Sequence, residues 1–438
     1  MASFFNLSSA AATQPLNHLS QPSWLTDPLL QPLLAALDQP QGTTRFVGGC
    51  VRDWLLQLPF GHDIDLATQW TPDQVTQRAE AVGFVVIPSG IAYGTVTVLV
   101  GKAKEGGWRV EITTLRRDDA TDGRHATVSW LDSWAEDAAR RDLTMNAIYC
   151  DCQGNLYDPL GGIDDLQAGL IRFIGNPQQR IIEDHLRILR YFRFLAWYGK
   201  VPPLSIDLAA AVENSKLLTR LSVERLWNEF KKLLLAPEPC AVLVLMVSRG
   251  ILKTFIPEIK LGAVAVLARL IEMEEKLELP PSARRRIMAL LPPNTGEELA
   301  KKFKLSKADQ KFMAECDLIS TEFGQVLVNP CHYLRHYGSE RVRDASIITL
   351  ARADIHSQKI NPAQIIALTE LTSQWEEVDL PISGEDILAH GIPPGKRVGE
   401  VFRLVEVWWE AKNCQPNRAQ CLEYLSDIIK NQELTSGI

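Results

Sequence analysis

Apolar residues in the first part of the chain recur in short runs that predict β-strands. These runs are β-branched or alternate with polar residues, as in a half-buried strand, and a segment with helical spacing at 51–58 lies between the first two. The predicted strands are 43–47, 64–66, 85–87, 95–100 and 109–115. Strands and helices in this order favour a mixed sheet with helices packed against it.

Beyond about residue 181 the apolar positions follow the spacing of amphipathic helices, and prolines and glycines separate the segments. The predicted helices are 183–197, 223–235, 241–247, 261–277, 282–291, 297–303 and 399–409. Few alternating runs remain in this part of the chain. We therefore predict an α/β head of about 170 residues, an ordinary domain size, followed by an all-helical remainder.

The composition is that of a soluble globular protein with two or more domains. The chain has 438 residues, 46% of them apolar and 23% charged, and one hydrophobic core rarely serves a chain of this length. Its longest apolar stretches, 241–247 and 261–268, are shorter than a membrane span. Because no Lys or Arg precedes Arg45, we expect neither a secretory nor an organellar targeting signal. Residues 1–25 are expected to form a loosely ordered leader.

Cysteine and charge content narrow the setting. The eight cysteines include no Cys-x-x-Cys pair, which argues against a structural zinc site and favours reduced cysteines in a cytoplasmic protein. The net charge of −7 alone argues weakly against nucleic-acid binding, although carboxylates at a metal site also contribute to it. A basic segment at 282–311 could follow an RNA backbone, and the alternative is a solvated helix face. Its candidate RNA-binding residues are Arg284, Arg285, Arg286, Lys301, Lys302 and Lys304.

The first candidate binding element is the pair Gly48-Gly49, which follows the first predicted strand and precedes a helix. Glycines allow the backbone to approach a phosphate closely, and a helix N-terminus offers free N–H groups and partial positive charge. Arg52, one turn into the helix, can add a charge-assisted contact. A Gly-Gly turn alone is more often structural, so its meaning depends on the residues that follow.

Two aspartates follow this turn with the spacing of a strand face. Asp63 and Asp65 flank Ile64, and residues two apart on a strand point to the same side. Two carboxylates so close repel each other unless a cation lies between them, and magnesium is the usual companion of nucleotide phosphates. The alternative is a surface Asp-x-Asp near a turn, because short motifs match by chance.

Glu111 offers a third carboxylate. It lies on the polar side of the predicted strand 109–115, and a neighbouring strand could place it beside Asp63 and Asp65. Such a ligand set binds two metal ions: one lowers the pKa of an attacking hydroxyl, and the other stabilises the leaving pyrophosphate. Alternatively, Glu111 is an exposed strand residue, as most glutamates are.

These residues resemble the nucleotidyltransferase superfamily that includes DNA polymerase β. Five ordered motifs resemble, more closely, the family of class II CCA tRNA nucleotidyltransferases and bacterial poly(A) polymerases. They lie at 48–66, 137–147, 158–166, 183–194 and 221–230. The resemblance implies an α+β fold, with a polymerase β-like nucleotidyltransferase head containing a mixed β-sheet, then an all-helical neck, body and tail. The implied limits are 26–170 for the head, 171–240 for the neck, 241–330 for the body and 331–438 for the tail.

The second and fourth motifs supply the arginines that the resemblance assigns to the nucleotide. Arg140 and Arg141 would contact the triphosphate or ribose, and Asp142 would orient them. Arg190 and Arg193 continue the fourth motif at helical spacing and would meet phosphates. An arginine-rich amphipathic helix is the alternative for the fourth motif.

Two further residues would read the incoming base. In the family an Asp and an Arg of the fourth motif imitate a Watson–Crick edge, and here they are Asp184 and Arg187. At i and i+3 on one helix they would project to one side. Asp supplies only acceptors and Arg only donors. Because cytosine and adenine share an amine beside a ring-nitrogen acceptor, the pair would accept both and disfavour uracil and guanine.

The resemblance implies a template-independent enzyme that adds CCA to the tRNA 3′ end from CTP and ATP, releases pyrophosphate and uses two Mg2+ ions. The helical tail would bind tRNA. Neither a membrane nor an obligate protein partner is expected. The alternatives are a bacterial poly(A) polymerase, an enzyme adding only CC or only A, and an RNA-binding protein with a decayed head. The intact Asp63, Asp65 and Glu111 argue against decay, and the segment 118–134, where the family has a loop for switching from C to A, favours full addition.

Overall fold

The computed structural model describes residues 20–59, 63–101, 107–121, 126–353 and 362–435. The chain divides into two compact units, Met1–Phe255 and Ile256–Ile438. Within the described ranges, none of the helices combines the length and the apolar character needed to cross a membrane.

The first unit is built on a mixed sheet. Its described strands are β1 (Thr44–Val47), β2 (Asp63–Thr68), β3 (Val85–Gly90), β4 (Thr95–Val100), β5 (Trp108–Thr114), β6 (Arg116–Thr121), β7 (Ala126–Trp130), β8 (Tyr149–Asp151) and β9 (Leu156–Tyr157). Seven of the described strands form one sheet in the order β3-β4-β5-β2-β1-β8-β9, and β6 pairs with β7. The β2–β5 pair is parallel, whereas β1 is antiparallel to both β2 and β8. The predicted mixed sheet is therefore confirmed.

Helices pack around and follow this sheet. The described helices of the first unit are α1 (Ser23–Thr26), α2 (Gln31–Leu37), α3 (Gly49–Leu55), α4 (Pro72–Ala81), α5 (Trp134–Ala139), α6 (Gly162–Ala168), α7 (Pro177–Glu183), α8 (Arg187–Tyr198), α9 (Ser205–Glu213), α10 (Val223–Leu234) and α11 (Pro239–Ser248). One cluster of the core joins β1, β2 and β8 through Val47, Ala67 and Tyr149.

The beginning of the described chain differs from the predicted leader. Residues 1–19 lie outside the described part, but α1 covers residues assigned to the leader. Trp24 is buried, and its ring centroid lies 4.2 Å from that of Phe46 on β1. Burial of this aromatic side chain attaches residues 23–25 to the head, so a loosely ordered leader is wrong for these residues.

All regular elements among the described residues of the second unit are helices, as predicted. Its described helices are α12 (Leu261–Lys276), α13 (Ala283–Leu290), α14 (Gly296–Lys302), α15 (Lys307–Thr321), α16 (Phe323–Val328), α17 (Pro330–Tyr337), α18 (Ser339–Arg352), α19 (Pro362–Gln374), α20 (Gly384–Ala389), α21 (Lys396–Ala411) and α22 (Arg418–Thr435). Val401, Val405 and Trp409 of α21 pack with Leu425 of α22 in a buried cluster.

Two arginines of the predicted RNA-binding segment are buried. Arg285 donates from Nε to Glu274 Oε1 at 2.8 Å and from Nη1 to Asp344 Oδ1 at 2.9 Å. Arg286 donates from Nε to Glu274 Oε2 at 2.8 Å. Since these arginines are only 2% and 3% exposed, the expectation that they contact RNA is wrong. They neutralise buried carboxylates instead.

The other residues of that segment are accessible to different degrees. Arg284 is about one-third exposed and pairs with Asp309 and Glu340. Lys301, Lys302 and Lys304 are exposed. Their contact with RNA stays a prediction.

Cys331 and Cys414 form a disulfide, with their Cα atoms 6.1 Å apart. The expectation that all cysteines are reduced is therefore wrong for this pair. The two residues are 83 positions apart in sequence, and only the packing of the second unit brings them together, so spacing could not reveal the pair. Cys50, Cys150, Cys152, Cys316 and Cys421 are free thiols.

Candidate active site

The turn between β1 and α3 lies against a carboxylate. Gly48 has φ 74° and ψ −127° and directly precedes α3, which begins at Gly49. A positive φ of this kind favours glycine. A Cβ on Gly48 would lie 3.5 Å from Asp65 Oδ2, so the turn and Asp65 border the same space. A ligand that binds beside Asp65 would therefore also lie near the backbone of the turn.

The three predicted carboxylates converge on one face of the sheet. In the parallel pairing of β2 with β5, Asp65 is opposite Glu111. Ile64 is buried whereas Asp63 and Asp65 are exposed, so both aspartates lie on the open face of β2. Neighbouring strands are about 4.8 Å apart. The structure therefore brings Asp63, Asp65 and Glu111 together, as the sequence predicted, and their catalytic role stays a prediction.

The electrostatics of the site reflect this crowding. The pKa of Asp65 is raised to about 6, first by desolvation and then by the negative charges of Glu111 and Asp63, against the opposing charges of Arg141 and Arg52. Since Asp65 is exposed, contact with water reduces the effect of desolvation on its pKa. A bound cation would relieve the repulsion among the three carboxylates. Hard oxygen donors in this arrangement fit a magnesium ion.

Arg52 is held by contacts within the protein. Its Nε and Nη2 donate to the two oxygens of Asp53 at 2.9 and 3.1 Å, and its Nη1 donates to Asn146 Oδ1 at 2.9 Å. The guanidinium carbon lies 4.5 Å from the centroid of the Tyr198 ring. Arg52 thus joins the first motif to the second, and its contact with phosphate stays a prediction.

Asp142 connects the second motif to the fourth. Its Oδ1 accepts a hydrogen bond from Asn146 Nδ2 at 3.0 Å, and its Oδ2 accepts one from Arg190 Nε at 2.7 Å. Burial opposes ionisation of Asp142, but the charge of Arg190 and the hydrogen bond from Asn146 outweigh it and hold the pKa well below its usual range. Asp142 is therefore an ionised partner of Arg190.

A different aspartate orients Arg140 and Arg141. Asp137 on α5 accepts from Arg140 Nε at 2.9 Å, from Arg141 Nη2 at 3.0 Å and from the Tyr149 hydroxyl at 2.7 Å. The prediction that Asp142 orients these arginines is wrong. The helical spacing of three and four residues between Asp137 and the arginines is the signal that could have identified it.

The prediction that Asp184 and Arg187 lie on one helix is wrong. Asp184 ends α7 with φ −146° and ψ 109°, and α8 begins at Arg187. Its Oδ1 accepts the N–H of Leu186 at 3.1 Å, a local contact that competes with helical hydrogen bonding. Arg225 of α10 donates from Nη2 to both Asp184 oxygens, at 3.0 and 3.2 Å.

Arg187 and Arg193 are also engaged by neighbouring groups. Arg187 donates from Nη1 to Glu183 Oε2 and from Nη2 to the carbonyl of Arg140, both at 2.8 Å. Arg193 donates from Nε to Glu229 Oε2 at 2.7 Å. Glu229 lies on α10 in the fifth motif, so that motif contributes charge partners besides structural support. The contacts of Arg187, Arg190 and Arg193 with nucleotide stay predictions.

The segment 118–134 is largely a hairpin. It contains most of β6 and all of β7, which pair antiparallel. Residues 122–125, together with the side chains of 117–128, lie outside the described part of the chain. The predicted role of this segment in switching from C to A is therefore not addressed by the structure.

Comparison with known families gives matches to two regions of the chain. Residues 44–172 match the Poly A polymerase head domain. Residues 208–261 match a family described as the probable RNA and SrmB-binding site of polymerase A. The first match contains β1, β2 and β5, and hence the three converging carboxylates.

Among solved structures, the CCA-adding enzyme of Bacillus stearothermophilus in complex with CTP is similar to this chain. It has a TM-score of 0.70 and 25% identity, covering 93% of this chain and 100% of that one. The Thermotoga maritima CCA-adding enzyme complexed with tRNA has a TM-score of 0.65 and 19% identity, covering 94% and 97%, and it supports the fold alone. The predicted polymerase β-like head followed by helices is confirmed.

Curated relatives extend the similarity along most of the chain. The human mitochondrial CCA tRNA nucleotidyltransferase 1 is 31% identical over 396 residues, covering 87% of this chain and 86% of the relative. The CCA-adding enzyme of Lactobacillus johnsonii is 31% identical over 408 residues, covering 90% and 96%. The resemblance found in the five sequence motifs is thus confirmed. This chain belongs to the CCA tRNA nucleotidyltransferase family.

Proposed function

We propose that this enzyme adds C, C and A to the 3′ end of tRNA from CTP and ATP, with release of pyrophosphate. The carrying observation is the parallel register that sets Asp65 opposite Glu111, with Asp63 on the same face and the Gly48 turn beside it. The CCA-adding enzyme of Lactobacillus johnsonii, which matches 90% of this chain, supports this reaction over poly(A) synthesis.

Asp63, Asp65 and Glu111 would hold the divalent metal, and we propose two Mg2+ ions. Their oxygen donors suit a hard cation, and their mutual repulsion favours one. When bound, magnesium activates the terminal hydroxyl of the RNA and stabilises the leaving pyrophosphate. Since the ligands must be ionised, the raised pKa of Asp65 makes metal binding weaker under acidic conditions.

The residues around the carboxylates would position the triphosphate. The glycine turn, Gly48 and Gly49, leaves room for phosphate oxygens next to backbone N–H groups. Asp137 holds Arg140 and Arg141 as fixed cationic groups, and the charge of Arg141 acts on Asp65, whose pKa it lowers. Fixed positive groups lower the cost of bringing a polyanion to three carboxylates.

Asp184 and Arg187 would select the base. Each carboxylate oxygen has two lone pairs, so Arg225 can hold Asp184 in place while the remaining lone pairs accept the amine of cytosine or adenine. Uracil and guanine carry a carbonyl oxygen at that position, which the carboxylate repels. Arg225 is therefore a positioning residue for base selection, acting through Asp184.

An incorporation assay tests the proposal. The substrate is a tRNA transcript that lacks its last three nucleotides, offered CTP alone, ATP alone or all four nucleotides. We expect two additions with CTP alone and completion by one A with the full mixture. Extension by ATP alone into a long tail would indicate a poly(A) polymerase, and addition of only CC or only A would indicate a partial enzyme.

A variant of the carboxylate site provides the matched control. Asp63→Ala should abolish incorporation while leaving tRNA binding, measured by gel mobility, unchanged. Retained incorporation would overturn the metal assignment.

The relatives include mitochondrial and bacterial enzymes, so the cytoplasmic location stays a prediction.

A further inference from the structure

Three potential metal ligands meet in the second unit, on helices that the proposed reaction does not use. His332 and His336 lie on α17, and Glu410 lies on α21. One ligand atom from each residue lies within 4.8 Å of the other two. The histidines are four residues apart, so both rings project from one side of the helix, and the ring centroids are 4.5 Å apart.

The contacts at this cluster resemble those of a metal site. His332 Nδ1 lies 2.7 Å from Glu410 Oε2, and His336 Nε2 lies 3.2 Å from Glu410 Oε1. A tetrahedral zinc ion about 2.0–2.1 Å from each ligand separates adjacent ligand atoms by about 3.3 Å. The His336 separation is close to this value, and the His332 separation requires a small opening. The three ligand atoms lie within 4.8 Å of one another, so side-chain rotations that bring the widest pair closer would admit an ion.

Burial fixes one ligand and leaves the others accessible. The Glu410 side chain is 3% exposed, whereas those of His332 and His336 are 42% and 50% exposed. The carboxylate is thus anchored in the protein, and the two imidazoles form the solvent side of the cluster. An ion can reach all three groups without unfolding the helices.

The surrounding charges also favour a cation. Arg335 Nη1 contacts Glu410 Oε1 and lies 3.2 Å from Glu406 Oε1. Because Arg335 contacts Oε1, it can orient Glu410 while a metal ion replaces the contact between Oε2 and His332 Nδ1. One arginine against two carboxylates leaves a net negative charge beside the two imidazoles.

We propose that His332, His336 and Glu410 form a Zn2+ site. Two imidazole nitrogens and one carboxylate are a zinc ligand set with one position open to water, whereas Mg2+ prefers oxygen ligands. The site would link α17 to α21, the same region that the Cys331–Cys414 disulfide joins. Its role is to fasten this part of the second unit, independently of nucleotide transfer.

The test is a zinc titration of the full-length protein. Metal is first removed with a chelator, and excess Mg2+ is then added to occupy the oxygen ligands of the head. Zinc stoichiometry and affinity are measured by calorimetry for the wild type, His332→Gln, His336→Gln and the control His390→Gln. His390 follows α20, and its Nδ1 lies 2.7 Å from the carbonyl oxygen of Asp386.

We expect the wild type and His390→Gln to bind one zinc equivalent that the other two variants bind at least about tenfold more weakly. Zinc should also raise the Tm of the wild type more than that of His336→Gln. Equal stoichiometry and affinity in all four proteins would overturn the proposal.

A spectroscopic measurement covers the case in which a variant does not fold. Co2+ is added to the wild type in excess Mg2+. Strong visible absorption, typical of four- or five-coordinate cobalt, supports the site. The weak spectrum of six-coordinate cobalt with oxygen ligands refutes it.

Discussion

Asp137 is buried with 1% of its side chain exposed and holds both Arg140 and Arg141, so its neutralisation is a stringent test of the site. Burial raises the pKa of Asp137, but the charges of Arg141 and Arg140 and the Tyr149 hydrogen bond outweigh it and lower the pKa from 3.8 to about 2. A lowering of this size corresponds to a stabilisation of about 2–3 kcal/mol. The substitution Asp137→Asn removes this stabilisation and leaves two arginines without their anion.

We expect Asp137→Asn to lower the free energy of unfolding by about 2–4 kcal/mol at pH 7. The pKa of Asp137 is depressed in the folded state, so its contribution is complete above pH 3.8 and declines as the pH falls toward about 2. The difference between wild type and variant should therefore be constant near neutrality and shrink in acid. Urea unfolding followed by circular dichroism at several pH values measures it.

The same variant should bind nucleotide poorly, because Arg140 and Arg141 lose their fixed orientation. We expect a KM increase of about tenfold for both CTP and ATP, consistent with the loss of about one positioning contact. Asp132→Asn, a change at an exposed aspartate of the same segment, is the matched control. An unfolding free energy within about 0.5 kcal/mol of wild type, the usual range for surface changes, would refute the reasoning.

Three further predictions concern the rest of the molecule. Incorporation should fall as the pH drops through about 6, because Asp65 then binds protons in place of metal. Added Mg2+ should shift the midpoint of this pH profile to lower pH. A midpoint that does not respond to Mg2+ would argue against this cause. Arg225→Met should raise misincorporation of U and G with little change in Tm, since the Arg225–Asp184 pair is about one-third exposed. Arg225→Lys should restore selectivity in part. Unchanged selectivity in Arg225→Met would exclude the positioning role. Arg285→Met should cost about 3–5 kcal/mol in urea unfolding because it leaves Glu274 and Asp344 without their buried partner, whereas Lys301→Met should cost under 0.5 kcal/mol.

The carboxylate site was predictable because strand periodicity is local. Alternation around Ile64 placed Asp63 and Asp65 on one face, and alternation in 109–115 placed Glu111 on the polar side of its strand. The pairing of β2 with β5 was not derivable from the residues, since more than 40 positions separate Asp65 from Glu111. The structure supplied the register that joins the three residues.

The errors have equally specific causes. The break at Asp184 follows from a side-chain contact to the Leu186 N–H, which helical spacing alone does not reveal. Arg285 and Arg286 were counted as surface charge, because their partners Glu274 and Asp344 lie elsewhere in the sequence. Short strands such as β9, which has two residues, carry no detectable alternation.

The contacts from Arg52 through Asn146 and Asp142 to Arg190 tie residues from three motifs into one row of alternating donors and acceptors. A change at one position therefore alters the partner of the next, and the effects of paired substitutions should not add. For protein engineering this means that a head segment grafted from a relative must bring its matching fourth-motif arginine with it. A grafted head segment without an acidic residue at position 142 would leave Arg190 without this carboxylate.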